Sequence, residues 1–328
     1  MSLQDSLRKW DAFSHFSDPH LALLAQCVTR SRFPAGVTIV KEGDQTAESY
    51  LIEEGSVSIQ RKTPYGLFAI ATLHSGDLFG ETSFVDGRTR SGDAITVEET
   101  DLMTLNPVAL TAVMERDQRF AVALYWALWK SLSGKLRLTN RKLTHFFSYT
   151  GKPDSSEPAS PLEAGDFHVD LASKRQLFQE QKLSNLEINF LTSLSKERKL
   201  KPHQVIFREG DPGNEMYVVL EGRVMISKYI LGAGEEALAF LERGDYFGEM
   251  ALIDRETRSA DAKADEAGAV VLVIPREVIT GILDIQKVSS LRLLKILCQL
   301  VAVRLRELDE KVVGWFIFSG GSGNWPDR

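Results

Sequence analysis

Apolar positions along this chain follow two alternating rhythms, and the whole alternation occurs twice. Residues 37–40, 49–53, 57–60, 69–73, 93–97 and 101–105 are short runs rich in β-branched, aromatic and aliphatic side chains. Glycine-containing breaks separate them at intervals of about eight to twelve residues. Residues 204–207, 215–220, 223–228, 238–241, 259–264 and 269–274 repeat that texture. Short strands at this spacing predict a barrel or sandwich, not βαβ units. Each β-rich body follows a polar-capped run of helix-period leucines, at 18–25 and 184–191. Each is then followed by a long helix. In the second, Leu291, Leu294, Cys298, Val301, Leu305, Leu308, Val312 and Trp315 alternate at +3 and +4. In the first, Val122, Tyr125, Trp129, Leu132, Leu136, Thr139, Leu143 and Phe146 do much the same, with one polar interruption. Such a stripe either packs on its own barrel or serves a second surface, and a homodimer through helix 291–315 is one such use.

The predicted fold is therefore mainly β with helices: two tandem β-roll (jelly-roll-like) barrels, each with a helical lead-in and a long C-terminal helix. The boundaries fall at 1–150 for the first domain, 151–172 for a flexible linker, 173–318 for the second domain and 319–328 for a loose tail. The linker is rich in Pro, Ser and charge and lacks an apolar period.

One loop occurs in both halves. Phe79-Gly80-Glu81-Thr82-Ser83-Phe84-Val85-Asp86 leads to Arg90-Ser91. Phe247-Gly248-Glu249-Met250-Ala251-Leu252-Ile253-Asp254 leads to Arg258-Ser259-Ala260, each residue 168 positions after its counterpart. Glu42-Gly43-Asp44 and Glu54-Gly55 recur as Glu209-Gly210-Asp211 and Glu221-Gly222 at an offset of 167. The one-residue change falls within the polar stretches 63–66 and 232–236, where a hairpin tip tolerates insertion. Duplication of one domain accounts for all of this.

The second loop can be read for its chemistry. Gly248 lets the backbone approach a ligand without a Cβ in the way. Residues 250–253 read as one apolar helical turn whose free N–H groups suit an anion. Arg258 adds a forked, permanent cation for a phosphate. Glu249, an acceptor beside an anion, favours hydroxyl groups. One phosphate next to a pair of hydroxyls describes a ribose phosphate.

Gly-Glu-x-Ala-Leu followed by Arg-Ser-Ala, inside a glycine-punctuated β-roll, resembles the phosphate-binding cassette of cyclic nucleotide-binding domains. These are the domains of catabolite activator proteins, protein kinase A regulatory subunits and cyclic nucleotide-gated channels. The resemblance covers roughly residues 12–147 and 178–315. It implies that Glu81 and Glu249 bond a ribose 2′-hydroxyl and that Arg90 and Arg258 pair with a cyclic phosphate. Backbone donors near Gly80, Gly248, Ser91 and Ser259 would complete each phosphate cradle. The base would lie on the barrel wall under the following helix. The implied ligand is cAMP or cGMP, with cAMP expected ahead, and the ligand-binding set is Phe79, Gly80, Glu81, Thr82, Ser83, Arg90 and Ser91 with Phe247, Gly248, Glu249, Met250, Ala251, Arg258, Ser259 and Ala260. The first copy departs from the family pattern at Thr82-Ser83-Phe84 and at Gly92, and the bulk of Phe84 would narrow its pocket.

The remaining chemistry narrows the class. A net charge of −6 argues against a chain whose main task is to hold polyphosphate. The two cysteines, Cys27 and Cys298, suit a reducing compartment and no metal site. The six histidines are scattered, and no Walker loop, dinucleotide fingerprint or Gly-x-Ser-x-Gly occurs. No catalytic residue, metal or cofactor is therefore expected, and a cupin-like enzyme finds no clustered histidines. The N-terminus lacks the apolar core of a signal peptide, and the most apolar stretches are too short or too interrupted to span a bilayer. A cytoplasmic location follows as an expectation. No membrane partner is expected on that ground, and because no helix-turn-helix follows the second long helix, DNA is not an expected partner either. The basic run Lys130, Lys135, Arg137, Arg141, Lys142 reads as the solvated face of the first long helix. An isolated surface ion pair, worth under about 1 kcal/mol, would explain either Glu…Arg set but not its repetition. The sequence thus reads as a two-site cyclic nucleotide receptor that signals by helix rearrangement to an effector protein. The alternative is a scaffold or assembly protein with one or both pockets degenerate.

Overall fold

The computed structural model describes residues 2–144, 146, 169–231, 233–283 and 291–321. The expected linker falls almost wholly outside these residues, as does most of the tail. The chain divides into two compact units, Met1–Lys142 with Val301–Arg328, and Leu143–Leu300.

In the first unit, α1 (Leu3–Arg8) and α2 (Asp18–Gln26) form the lead-in. Ser17 caps α2 by accepting from the His20 amide, and Pro19 sits in its first turn, where a missing N–H costs nothing. Eight strands follow: β1 (Val28–Phe33), β2 (Thr38–Val40), β3 (Ser49–Glu54), β4 (Ser56–Thr63), β5 (Gly66–His74), β6 (Leu78–Phe79), β7 (Asp93–Thr96) and β8 (Thr100–Leu105). They make two antiparallel sheets, ordered β1-β8-β3-β6 and β2-β7-β4-β5. The six-residue helix α3 (Glu81–Asp86) interrupts the strands, and α4 (Pro107–Arg116) and α5 (Gln118–Leu143) complete the run. Between the sheets lie Val40, Tyr50, Ile52, Val57, Leu73, Phe79, Ala94 and Leu102.

The second unit repeats this design. Its lead-in is α6 (Leu171–Glu180) and α7 (Asn185–Leu194), the latter opened by a reciprocal Ser184–Glu187 capping box. The strands are β9 (Lys196–Leu200), β10 (Val205–Phe207), β11 (Glu215–Ile230), β12 (Gly234–Leu241), β13 (Tyr246–Phe247) and β14 (Asp261–Pro275), with α8 (Met250–Asp254), α9 (Arg276–Ile282) and α10 (Leu291–Phe318). Strands expected separately at 215–220 and 223–228 run on as β11, and those at 259–264 and 269–274 as β14. The reason is local. Register shifts at Val219/Glu221 and Gly222/Val224 bend β11 round the corner without breaking the ladder, where the first copy breaks into β3 and β4. The corner needs glycine in both copies. Gly55 has φ +90° and a Cβ there would meet the Glu99 carbonyl oxygen at 2.5 Å; Gly222 has φ +72° and would meet that of Gly268 at 2.3 Å. Strands β1, β6, β9 and β13 were not expected. The charge-rich β1 and β9 carry no alternating apolar pattern, and β6 and β13 are two residues each.

The long helices are amphipathic as expected, but their stripes are covered within the chain. Leu294, Cys298, Val301, Leu305, Leu308 and Val312 are all buried. Residues 301–318 pack in the first unit, where Phe316 stacks on Phe68 at 4.2 Å and Arg61 pairs with Glu310 at 2.8 Å.

The corner can be tested directly. Gly234, φ +89°, faces open space, so Gly234→Ala is expected to cost only the left-handed penalty of about 1–2 kcal/mol. Gly222→Ala adds a steric clash of about 1–3 kcal/mol more. Urea midpoints should rank wild type, Gly234→Ala, Gly222→Ala in falling order, and equal midpoints for the two variants would refute the corner argument.

Candidate functional site

The repeated loop folds the same way in both units. A two-residue strand ends at Phe79 or Phe247, the next glycine turns left-handed, and a short helix begins. Phe79 stacks on Tyr50 at 4.8 Å and Phe247 on Tyr217 at 5.0 Å, which fixes the loop to the core. The arginine backbone is fixed across the strands. The Arg90 amide donates to the Asp44 carbonyl and the Arg258 amide to that of Asp211, each at 2.9 Å. Gly43 and Gly210 donate back to the arginine carbonyls at 3.0 and 2.9 Å.

Each guanidinium then folds under its glycine. Arg90 Nη1 donates to the Gly80 carbonyl and Arg258 Nη1 to that of Gly248, both at 2.7 Å. The second arm donates to Glu48 in one copy and Glu215 in the other, again to the carbonyl oxygen, at 2.7 and 2.8 Å. Glycine is required here by close approach as well as by φ. A Cβ on Gly80 would lie 2.8 Å from Arg90 Nη1, and one on Gly248 would lie 2.7 Å from Arg258 Nη1.

The two arginines differ at Nε. Arg90 Nε donates to Thr46 Oγ1 at 2.9 Å, and the Glu48 carboxylate lies 3.5 Å from its Nη2. The corresponding second-copy position is Gly213, which offers no hydroxyl, and Arg258 Nε is shielded from solvent without a hydrogen-bond partner. Arg258 is 5% exposed, and among the described residues no carboxylate lies within ion-pair distance of it. It rests on the Phe207 ring at 4.3 Å. Burial holds its pKa below that of a free guanidinium, opposed through space by Tyr217, Glu249, Glu215 and Asp211. A buried cation in this state has unmet demand for an anion.

The carboxylates behave differently from the arginines. Glu81, 0% exposed, accepts from Ser131 Oγ at 2.8 Å and from Lys135 Nζ, both on α5. Its second oxygen, Oε2, has no partner. Glu249 is also buried. The basic run of α5 is thus a solvated face only in part, with Arg141 exposed. Lys135 grips Glu81, Lys130 pairs with Asp11 at 2.5 Å, and Arg137 and Lys142 are buried. The residue pattern contained the signal: Ser131, Lys135, Thr139 and Lys142 recur at +4, +4 and +3, a polar stripe on one helix face.

In the first unit a cavity of about 100 Å³ brings together Phe79, Gly80, Thr82, Ser83, Arg90 and Ser91 from the expected set. Its wall is apolar, from Val40, Ile59, Ile70, Ala71 and Leu73. Lys135, Leu138, Thr139 and Lys142 of α5 close one side, and Leu305 and Asp309 of α10 contribute as well. Phe84 and Glu81 do not line it. Gly92 replaces the expected alanine for a spatial reason: a Cβ there would lie 2.8 Å from the Gln60 carbonyl oxygen. In the second unit Met250, Ala251 and Ala260 are buried, and Ser259 Oγ meets Met250 Sδ at 3.8 Å.

Two further arginines brace the cassette helices and were not anticipated. Arg276 Nη2 donates to the carbonyls of Gly213 and Ala251, both at 2.8 Å. Arg306 donates to the Asp86 carboxylate at 2.6 and 3.1 Å and to Ser83 Oγ at 3.2 Å. Nothing in their local sequence distinguishes them. No group of three or more potential metal ligands occurs among the described residues. No described helix is long and apolar enough to cross a membrane.

The cyclic nucleotide-binding domain profile matches residues 30–117 and 197–286, so the chain belongs to that family and carries two copies of its domain. The chain is similar to the cGMP-dependent protein kinase egl-4 of Caenorhabditis elegans, 23% identical over 84% of this chain and 29% of the relative. It is similar to the cAMP-dependent protein kinase regulatory subunit of Hypocrea atroviridis, 23% identical over 77% of this chain and 46% of the relative. The chain therefore spans less than half the length of these relatives. The regulatory domain of Toxoplasma gondii PKA, solved with cAMP, is 17% identical with a TM-score of 0.33, covering 85% of this chain and 90% of that one.

The buried pair gives a double-mutant test. Lys135→Met leaves Glu81 charged and unpaired, an expected loss of about 3 kcal/mol of stability at pH 7. Adding Glu81→Gln should recover most of that loss. If the two effects instead sum within about 0.5 kcal/mol in denaturant titrations, the pair is not coupled.

Proposed function

We propose that this chain is a cyclic nucleotide receptor, binding one nucleotide at each cassette and relaying occupancy through its long helices to an effector protein in the cytoplasm. One observation carries the reading. Arg258 is a buried guanidinium with its Nε–H unused, no carboxylate partner among the described residues, and a glycine backbone folded against it. Burying such a cation is unfavourable unless an anion arrives, and a phosphate meets a fork of N–H donors well. Glu249, one residue beyond the glycine, supplies the acceptor for ribose hydroxyls. The first copy carries the same arginine and carboxylate, now engaged by Thr46 and Lys135. The second pocket is assigned the higher affinity for that reason, with cAMP as its ligand. Relatives that include a protein kinase A regulatory subunit support a protein kinase as the class of effector.

The first cavity, about 100 Å³, is well below the roughly 300–1,000 Å³ of small-molecule sites. A nucleotide there must first displace the helices that close it. That geometry also favours a second reading for the first copy, a degenerate pocket that only props the helices.

Calorimetric titration of wild type, Arg90→Ala and Arg258→Ala with cAMP and with cGMP decides between them. Two sites in wild type, each variant losing one, is the expected result. Loss in Arg258→Ala alone would make the first copy degenerate. No heat and no thermal shift at high ligand would end the receptor reading.

A further inference from the structure

We infer that the groove between α1 and the β1-β8-β3 sheet is a further ligand site, built for a small zwitterion of the amino-acid or dipeptide class. It lies apart from both cassettes and does not rest on the receptor reading. Ser6, Lys9 and Trp10 of the lead-in line it together with Arg30, Glu53 and Asp101 of three neighbouring strands. Its volume, about 530 Å³, falls within the roughly 300–1,000 Å³ of small-molecule sites.

The first observation is unmet hydrogen bonding. Ser6 is 1% exposed, and its hydroxyl is shielded from solvent with no hydrogen-bond partner. The Trp10 indole N–H is shielded and unpartnered as well. A buried donor left unsatisfied is costly, and a ligand acceptor removes that cost. The second copy resolves the same place differently. A Cβ on Gly76 would lie 3.4 Å from the Trp10 ring, and one on Gly244, its counterpart 168 positions on, would lie 3.1 Å from Gln181 Nε2. Gln181 donates to the Gly244 carbonyl at 2.5 Å and accepts from the Tyr246 hydroxyl. In the same lead-in Lys174 pairs with Glu197 at 2.5 Å. The second lead-in is thus sealed by bonds within its own unit, whereas the first keeps open donors over a groove. Side chains of α1 reach out of the helix to α2: Arg8 to the Asp18 carboxylate at 2.7 Å and Gln4 to the Asp18 carbonyl at 3.0 Å. Among the described residues none of them bonds to the sheet, so α1 can tilt to admit a ligand group.

The ligand class follows from charge. Arg30 forks onto Glu53 at 2.6 and 2.7 Å, and Arg32 onto Asp101 at 2.7 and 2.6 Å, so these four cancel. Lys9 and Glu54 complete the charged lining; both are exposed, and among the described residues neither makes an ion pair. The groove is therefore neutral overall and gives a polyanion no advantage. What it leaves open is one cation beside two unmet donors on the lead-in, and one anion at the end of β3. A carboxylate satisfies Lys9, the Trp10 N–H and the Ser6 hydroxyl, and an ammonium satisfies Glu54. A molecule that carries both is an amino acid or a short peptide.

The test is calorimetric titration of the full chain with each of the common L-amino acids, with glycylglycine and with alanylalanine. Saturable binding at a single site by at least one of them is expected, equal in wild type and in a variant carrying both Arg90→Ala and Arg258→Ala. The N-acetyl form of that ligand, which lacks the ammonium, and its amide, which lacks the carboxylate, should each bind at least about tenfold more weakly. Lys9→Met and Trp10→Phe should each weaken the parent ligand about tenfold. Glu54→Gln should weaken it too, yet leave the N-acetyl form unchanged. Lys9 and Glu54 are exposed, so their variants should melt with wild type, which checks folding independently. Tighter binding of a free amino acid or of a dipeptide decides between the two sizes, and either supports the site. No saturable binding by any of these ligands, an N-acetyl form as tight as its parent, affinity unchanged in both Lys9→Met and Glu54→Gln, or loss of binding in the cassette double variant would each overturn the assignment.

Discussion

The structure depends on one contact made twice: an arginine folded beneath a left-handed glycine, its Nη1 on that glycine's carbonyl at 2.7 Å in both copies. The contact ties the cassette helix to the β3 end or the β11 strand through the second arm of the fork. It excludes any Cβ at Gly80 or Gly248. It also fixes where positive charge stands in each cassette. Short helices of six and five residues contribute few aligned peptide dipoles. The buried guanidinium is the larger electrostatic feature of each cassette.

Much of this was legible in sequence because it is periodic or because it was duplicated. The glycine, glutamate and arginine positions stand out through their fixed offset, and the β-rich runs and capped lead-ins follow from local chemistry such as the Ser184–Glu187 box. What was hidden depends on contacts distant in sequence. Nothing around Arg306 or Asp309 marks them as neighbours of Asp86 and Arg90, because the helical period records which face is apolar and not what covers it. The basic residues of α5 misled for the same reason. A lysine at helical spacing on a charged face reads as solvated until a buried carboxylate such as Glu81 is placed against it. Strands β1 and β9 were missed because their side chains are charged and paired, as Arg30 with Glu53 and Arg32 with Asp101 show.

The two copies have kept the frame and diverged in what surrounds the arginine. In the second, Gly213 stands where the first has Thr46, and the guanidinium keeps a free Nε–H against Phe207. In the first, the hydroxyl of Thr46 satisfies that donor, and Lys135 satisfies half of Glu81. The same ligand would therefore meet unequal opposition: unmet demand at one cassette, and existing bonds to displace at the other. Duplication with unequal satisfaction of the same two charges is a physical route to two sites of different affinity in one chain.

Closure of the first pocket adds a further term. Its cavity is smaller than a nucleotide, and the atoms that make it so belong to α5 and to residues 305–309. Ligand occupancy and the present packing of those helices cannot both be complete. A ligand shifts that equilibrium only by its differential affinity for the two arrangements, and the contacts opposing it are specific: Lys135 on Glu81, Arg306 on Asp86, Phe316 on Phe68. Each has a definite geometry to leave: an ammonium on one carboxylate oxygen, a forked guanidinium on a carboxylate, and a stacked ring pair. Such contacts favour discrete alternatives over gradual deformation, so in the receptor proposed above the filling of this pocket would change helix position in steps.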